Sequence, residues 1–299
     1  MKLALLVVLA VFGLSFVWYW VRAVKRSADG PSGSQPMKFT LFEIFIGFIT
    51  NFFDTLGIGS FATTSSIFKL KGMVEDELIP GTLNVGHCIP TIVEAFIFVS
   101  IIEVDPATLL AMMVASILGA WLGAGIVSKW PRRTIQISLG SALLVAAALM
   151  FMSQLSLLPG GGEALGLSGI KLLLAVLGNF IFGALMTLGI GLFAPCMILV
   201  SLLGMNPRAA FPIMMGSCAF LMPVGSLPFI DKGRYSLKAA LGLLSGGVPG
   251  VLLSAFVVKS LPLSVVRWLV ICVVIYTSIM LIRSAVIEHR SNSKANEQS

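Results

Sequence analysis

The sequence predicts an all-α integral membrane protein: a polytopic helical bundle of two inverted repeats, each a glycine-broken helical hairpin plus three spanning helices, preceded by an N-terminal transmembrane anchor. Three observations predict it. Apolar runs long enough to cross a hydrocarbon core, about 20 residues each, recur along the chain. One ordered set of residues returns at an offset of 130 to 132 positions, and basic residues divide unevenly between the two sides that the runs define.

Composition sets the class. Hydrophobic residues make up 57% of the chain and charged residues 11%, with a mean hydropathy of +1.00, whereas soluble domains carry about 25% charged residues. A water-soluble monomer cannot hide that much apolar surface. The net charge of +7 would point to nucleic acid in a soluble protein, but here Lys and Arg sit mostly between apolar runs and report topology. No nucleic-acid partner is expected; the lipid bilayer is.

The first run, residues 3–22, exceeds the roughly 7–15 residues of a signal-peptide core and lacks a clear small-residue cleavage site. Residues 1–22 therefore read as an uncleaved anchor. Residues 23–40, rich in Ser, Gly, Pro and charge, read as a flexible cytoplasmic linker. Further runs occupy 82–102, 106–128, 132–151, 209–230, 236–258 and 262–284, with longer ones at 41–70 and 170–203. Between and after them, 152–172 reads as an extracytoplasmic loop and 285–299 as a cytoplasmic tail.

The repeat is explicit. Thr-Leu-Gly-Ile-Gly stands at 55–59 and at 187–191, followed by Phe61-Ala62 and Phe193-Ala194. The correspondence continues through Gly72-Met73 and Gly204-Met205, Pro80 and Pro212, Gly86 and Gly216, Cys88 and Cys218, Gly119 and Gly250, to Pro131 and Pro262. Residues 41–151 and 173–284 are two copies of one unit. A continuous helix over 41–70 would run about 45 Å, well beyond a core of about 30 Å. Glycine costs about 1 kcal/mol in a helix interior, so Gly57 and Gly59, repeated as Gly189 and Gly191, mark a backbone break. If each broken segment dips in and returns, the linker side collects 15 of the 20 Lys and Arg against 5 on the other side. That asymmetry selects three full crossings per copy, and an odd number inverts the copies.

Breaks inside a membrane leave backbone N–H groups that only protein, water or a ligand can satisfy. At the start of a half-helix those donors point outward with the positive end of the helix dipole, so an anion is the natural partner. Inverted repeats with discontinuous helices are the pattern of secondary transporters. The expected substrate-binding residues are Gly57, Gly59, Ser60, Thr63 and Thr64 in the first copy and Gly189, Gly191 and Cys196 in the second, with the two breaks converging on one anion. The four cysteines show no zinc or redox spacing, and neither metal nor cofactor is expected.

Ionisable residues at membrane depth are costly, and the chain has three: Asp54, His87 and Glu94. Asn84, His87, Thr91 and Glu94 share one helix face, whereas their counterparts Met214, Ser217, Leu221 and Val224 are mostly apolar. Asp54, His87, Glu94 and Asn84 are the expected proton-coupling residues, with Asp54 or Glu94 pairing with His87 as a relay.

With the glycine breaks, Lys71-Gly-Met-Val-Glu-Asp-Glu-Leu-Ile-Pro80 and Leu203-Gly-Met-Asn-Pro207 in view, the chain resembles the TauE/SafE sulfite exporter family over roughly 41–284. That resemblance implies export or uptake of sulfite, sulfonates and related small anions. The sequence departs from the family pattern at Ser60 and Leu192, where a further glycine is usual, and at Thr63, where a proline is usual. The expected function is secondary transport of a small anion by alternating access, coupled or not to protons, across the cell inner membrane. A passive anion channel and a membrane-embedded hydrolase built on Ser60 and His87 are the other classes.

The charge asymmetry makes a topological prediction. Single cysteines at Glu75 and Gly161, in a background without the native four, should react with an impermeant reagent from opposite faces; reaction of both from one face would contradict inverted copies.

Overall fold

The computed structural model describes residues 2–28, 40–127, 131–155, 162–186 and 192–297. Eleven α-helices occur among them: α1 (Lys2–Ala28), α2 (Leu41–Thr55), α3 (Ser60–Lys71), α4 (Ile79–Ile101), α5 (Pro106–Val127), α6 (Arg132–Gln154), α7 (Gly169–Met186), α8 (Phe193–Leu202), α9 (Ala210–Asp231), α10 (Leu237–Ser260) and α11 (Leu263–Glu297). Apart from one bridge between Ala164 and Met205, no strand pairing occurs among the described residues. Seven segments are long and apolar enough to cross a membrane, and the chain is a polytopic helical membrane protein. Most of the expected linker, part of the loop after α6, and Gly189 and Gly191 lie outside the described residues.

In the first long apolar segment α2 ends at Thr55 and α3 starts at Ser60, either side of Gly57 and Gly59; in the second, α7 is described to Met186 and α8 from Phe193. The first doubles back on itself. Ser60, at the start of α3, bonds to Asp54 near the end of α2, while Phe68 near the far end of α3 shares a cluster with Ile46 early in α2 and with Ile79, Leu83 and Leu243. Gly72, at φ +57, closes α3 in the left-handed conformation that glycine adopts freely. In the second segment Gly178 of α7 lies against Leu199 of α8, so α8 also runs back along its partner. At 1.5 Å per residue, the 18 residues of α7 reach about 27 Å, close to the full core, against about 22 Å for the 15 residues of α2.

The chain forms two compact units, and each draws on both copies of the repeat. One comprises Met1–Ile102 with Met215–Ser260; the other comprises Glu103–Met214 with Leu261–Ser299. Within the first, α2 packs along α10; within the second, α7 packs along α5. These are the same pairing, since α7 repeats α2 and α10 repeats α5. The match extends to single residues. A Cβ at Gly250 would lie 2.4 Å from the Phe48 carbonyl oxygen, and one at the equivalent Gly119 would lie 1.9 Å from that of Phe180. One residue pair exchanges its members: Gly247 lies against the Asn51 side chain, whereas Gly183 lies against the Ser116 backbone. Where Gly47 abuts the Leu243 carbonyl, Asn179 donates to the Met112 carbonyl at 2.7 Å. In lipid, where apolar side chains gain little by meeting each other, close backbone approach at small residues carries helix association.

The helix termini carry their own caps. Thr40 and Glu43 form a reciprocal capping box at the start of α2, and Glu43 also pairs with Lys238 of α10 at 3.2 Å. Asp105 precedes α5 and accepts from the Thr108 N–H at 2.8 Å and hydroxyl at 2.9 Å; these bonds hold its carboxyl below the usual carboxylate range. The segment before α7 is tied to this cap, because Asp105 N–H donates to the Leu165 carbonyl and Leu167 N–H to the Thr108 hydroxyl.

Helix α1 is part of the first unit. Leu9, Phe16 and Trp20 are buried, Phe12 meets Phe220, and Trp20 donates to the Tyr235 hydroxyl at 3.0 Å. Its remaining faces, including Leu3, Val11, Leu14 and Trp18, are exposed, as lipid contact requires.

The glycine contacts predict equivalent damage at distant positions. Gly119→Val and Gly250→Val should each destabilise the protein towards the upper end of the 1–3 kcal/mol, roughly, that overpacking costs. Gly225→Val should be milder, because a Cβ there meets only Asn84 Oδ1 at 3.6 Å. The monodisperse fraction after heating in detergent measures all three.

Candidate functional site

The interruption between α2 and α3 is short. Leu56 N–H donates to the Phe53 carbonyl and Gly57 N–H to that of Asp54, at 3.1 and 2.7 Å, which winds up the end of α2. Gly57 at φ +97 and Gly59 at φ +88 then turn the chain, a conformation that side chains other than glycine rarely adopt. Helix α3 begins at Ser60, so its first amides face the break.

A carboxylate from α2 meets those amides. Asp54, only 4% exposed, accepts from the Ser60 N–H at 2.8 Å and from the Ser60 hydroxyl at 3.0 Å. Asp54 therefore caps α3 across the break, satisfying one orphan donor and the positive end of the helix dipole together. Ser60, expected to donate to substrate, spends both donors on Asp54. A Cβ built at Gly59 meets nothing within 4 Å, so among the described residues the backbone beside this cap borders open space. Thr63 turns its hydroxyl back to the Ser60 carbonyl at 2.9 Å.

Behind the break lies a buried polar chain that joins α2, α3 and α4. His87 sits between Asn51, whose Oδ1 is 3.1 Å from Nδ1, and Thr64, whose hydroxyl is 3.0 Å from Nε2. The Asn51 amide nitrogen donates to the Gly47 carbonyl, which turns its oxygen toward the ring. Nδ1 must then carry the hydrogen, and in the neutral ring Nε2 accepts from Thr64. Phe61 covers the ring at a centroid distance of 5.9 Å. Seven residues further along α4, Glu94 Oε1 lies 2.7 Å from the Thr55 hydroxyl, which is also 2.8 Å from the Asn51 carbonyl. One hydroxyl has one hydrogen. A protonated Glu94 donating to Thr55, with Thr55 donating to Asn51, satisfies both contacts. Glu94 Oε2 is buried without a partner.

The expected residues thus separate. Asp54, Ser60, Thr64, His87 and Glu94 come together around the first break, with Gly57 and Gly59 forming its turn. His87 is held by an amide and a hydroxyl rather than by either carboxylate, which corrects the expected pairing. Asn84, at the end of the face, donates back to the Pro80 carbonyl at 2.9 Å instead of joining the chain. Ser60 bonds to Asp54 and His87 to Thr64, so the nucleophile–base pair of a hydrolase is not formed. Cys196, the counterpart of Thr64, is fully buried in α8; Gly189 and Gly191 lie outside the described residues.

Asn51 and Thr55 were not anticipated. They stand one helical turn apart in a largely apolar segment, the spacing that puts both on one face, and that spacing is the available signal. Pro90 adds a second local feature: it has no N–H to give the Gly86 carbonyl, one turn back and beside His87. No cluster of His, Cys, Asp or Glu with metal-holding geometry occurs among the described residues.

A family model described as sulfite exporter TauE/SafE matches residues 1–150 and 171–298. No curated protein matches the chain, and no solved structure does.

Proposed function

We propose that this chain, which belongs to the sulfite exporter TauE/SafE family, moves sulfite, a sulfonate or a related small anion by alternating access, with the anion held at the break between α2 and α3. Family membership carries membrane transport of sulfur anions with it; the anion site, the coupling and the orientation are our reading. The observation that supports the site best is at Gly59. There the backbone has a positive φ and borders open space, next to the first amides of α3, whose donors and dipole favour negative charge.

The repeat assigns Gly189 and Gly191 the corresponding role in the second copy. Thr63 and Thr64 add hydroxyls on the first side, and Cys196 stands where Thr64 has its counterpart. Proton coupling is assigned to the buried chain of Asp54, His87 and Glu94, bridged by Asn51, Thr55 and Thr64, with Asn84 at its margin. The charge distribution supports a cytoplasmic C-terminus in a cell inner membrane.

Two variants test this reading. Gly59→Val places a side chain in the open space and should lower sulfite affinity by about tenfold or more, the equivalent of one charge-assisted hydrogen bond lost, in calorimetry on monodisperse protein. Glu94→Gln keeps shape and removes the titratable group; it should abolish gradient-driven uptake in proteoliposomes while sparing anion exchange. Unchanged affinity in the first variant would place the anion elsewhere, and equal loss of both activities in the second would make Glu94 structural.

A further inference from the structure

A carboxylate already occupies the anion-favouring end of α3. Asp54 takes the Ser60 N–H at 2.8 Å and the Ser60 hydroxyl at 3.0 Å, and it reaches them from the preceding helix, across the two glycines. An anion entering beside Gly59 approaches the same donors. Two negative charges on one small set of donors repel strongly away from water, and among the described residues no ion pair to Asp54 occurs. Helix α3 carries its lysines, Lys69 and Lys71, in its last turn. On α10, Lys238 is engaged with Glu43, and Lys259 lies in the last turn. The titratable groups of α4 are His87, held between Asn51 and Thr64, the buried thiol of Cys88, and Glu94. Glu94 Oε1 is engaged with the Thr55 hydroxyl, and its Oε2 is buried without a partner.

We propose that Asp54 is an internal counter-anion: in the empty site its carboxylate fills the anion position at the start of α3, and a substrate anion takes that position as Asp54 takes up one proton. The inference rests on the reading that the break holds the anion. The exchange balances in charge, because one negative charge enters the site and one is neutralised. The proton comes from solvent, ends on an Asp54 carboxyl oxygen and leaves when the anion leaves. The arrangement also explains why Gly59 borders open space: the released side chain and the anion both need room. In this scheme Asp54 holds the proton and Glu94 delivers it, so the two carboxyls have separable roles. Empty, the site keeps its helix capped; loaded, the substrate itself becomes the cap. Anion binding and proton binding then become one event.

Methanesulfonate is the probe for the test, because its charge does not change across the working pH range. Calorimetry in two buffers of different ionisation enthalpy counts the protons taken up on binding. The parent should take up close to one per anion, and its affinity should rise about tenfold for each unit that the pH falls while the empty-site Asp54 is ionised. Asp54→Asn should bind with no proton uptake and with affinity independent of pH, and Glu94→Gln should retain the uptake. Binding by the parent without proton uptake, or uptake retained in Asp54→Asn, would overturn the proposal even if Asp54→Asn is less stable. If Gly59→Val binds more weakly in that case while matching the parent in thermal stability, the anion site stands and only the counter-anion role fails. If neither methanesulfonate nor sulfite binds the parent, both fall together.

Discussion

A helix interrupted inside a hydrocarbon layer exposes amides that water cannot reach, and the protein must supply partners for them. Here the Asp54 carboxylate does so for the first turn of α3, and much of the local architecture follows from that bond. Gly57 and Gly59 bring the chain round tightly enough for the last turn of α2 to reach the first turn of α3. The returning helix places Thr64 beside His87, and α2 presents Asn51 and Thr55 to the same face of α4. A cluster of polar groups that would be prohibitive against lipid becomes tolerable because its members mostly satisfy one another. The exception is Glu94 Oε2, which is buried without a partner.

The packing around this cluster is set by residues with almost no side chain. Helices α2 and α10 approach so closely that Gly246 and Gly250 lie against backbone carbonyls, and Gly119 and Gly183 do the same between α5 and α7. Each pair joins one helix from each copy of the repeat, so a compact unit is assembled from both halves of the sequence. Duplication is therefore legible in the contacts as well as in the order of residues. The copies have diverged where polarity matters: the first keeps Asn51 against Gly247 and builds a polar cluster on it, while the second has Gly183 at that place and moves its amide to Asn179.

Much of this could be read from residues alone, for a physical reason. Glycine pairs in an apolar segment too long for the bilayer admit few explanations, and the recurrence of Thr-Leu-Gly-Ile-Gly made the break and the returning helix accessible in advance. Helical periodicity placed His87 and Glu94 on one face. What periodicity cannot supply is the partner across the gap. That His87 meets Asn51 and Thr64 rather than a carboxylate depends on how α2 and α3 lie against α4, which is a matter of packing. The role of Asp54 was hidden for a related reason, since a cap normally comes from a residue adjoining its helix and this one comes from the far side of a break.

The account centres on one location, the amides of Ser60, Phe61 and Ala62 beside Gly59. Selenite has the shape and charge of sulfite and scatters X-rays anomalously, so diffraction from crystals grown with it locates the anion without reference to any variant. The account predicts an anomalous peak about 3.5 Å or slightly more from those amide nitrogens, with selenite oxygens at hydrogen-bonding distance, about 2.7–3.2 Å, and the Asp54 side chain turned away from Ser60. A peak at another place, with Asp54 still bonded to Ser60, would contradict it.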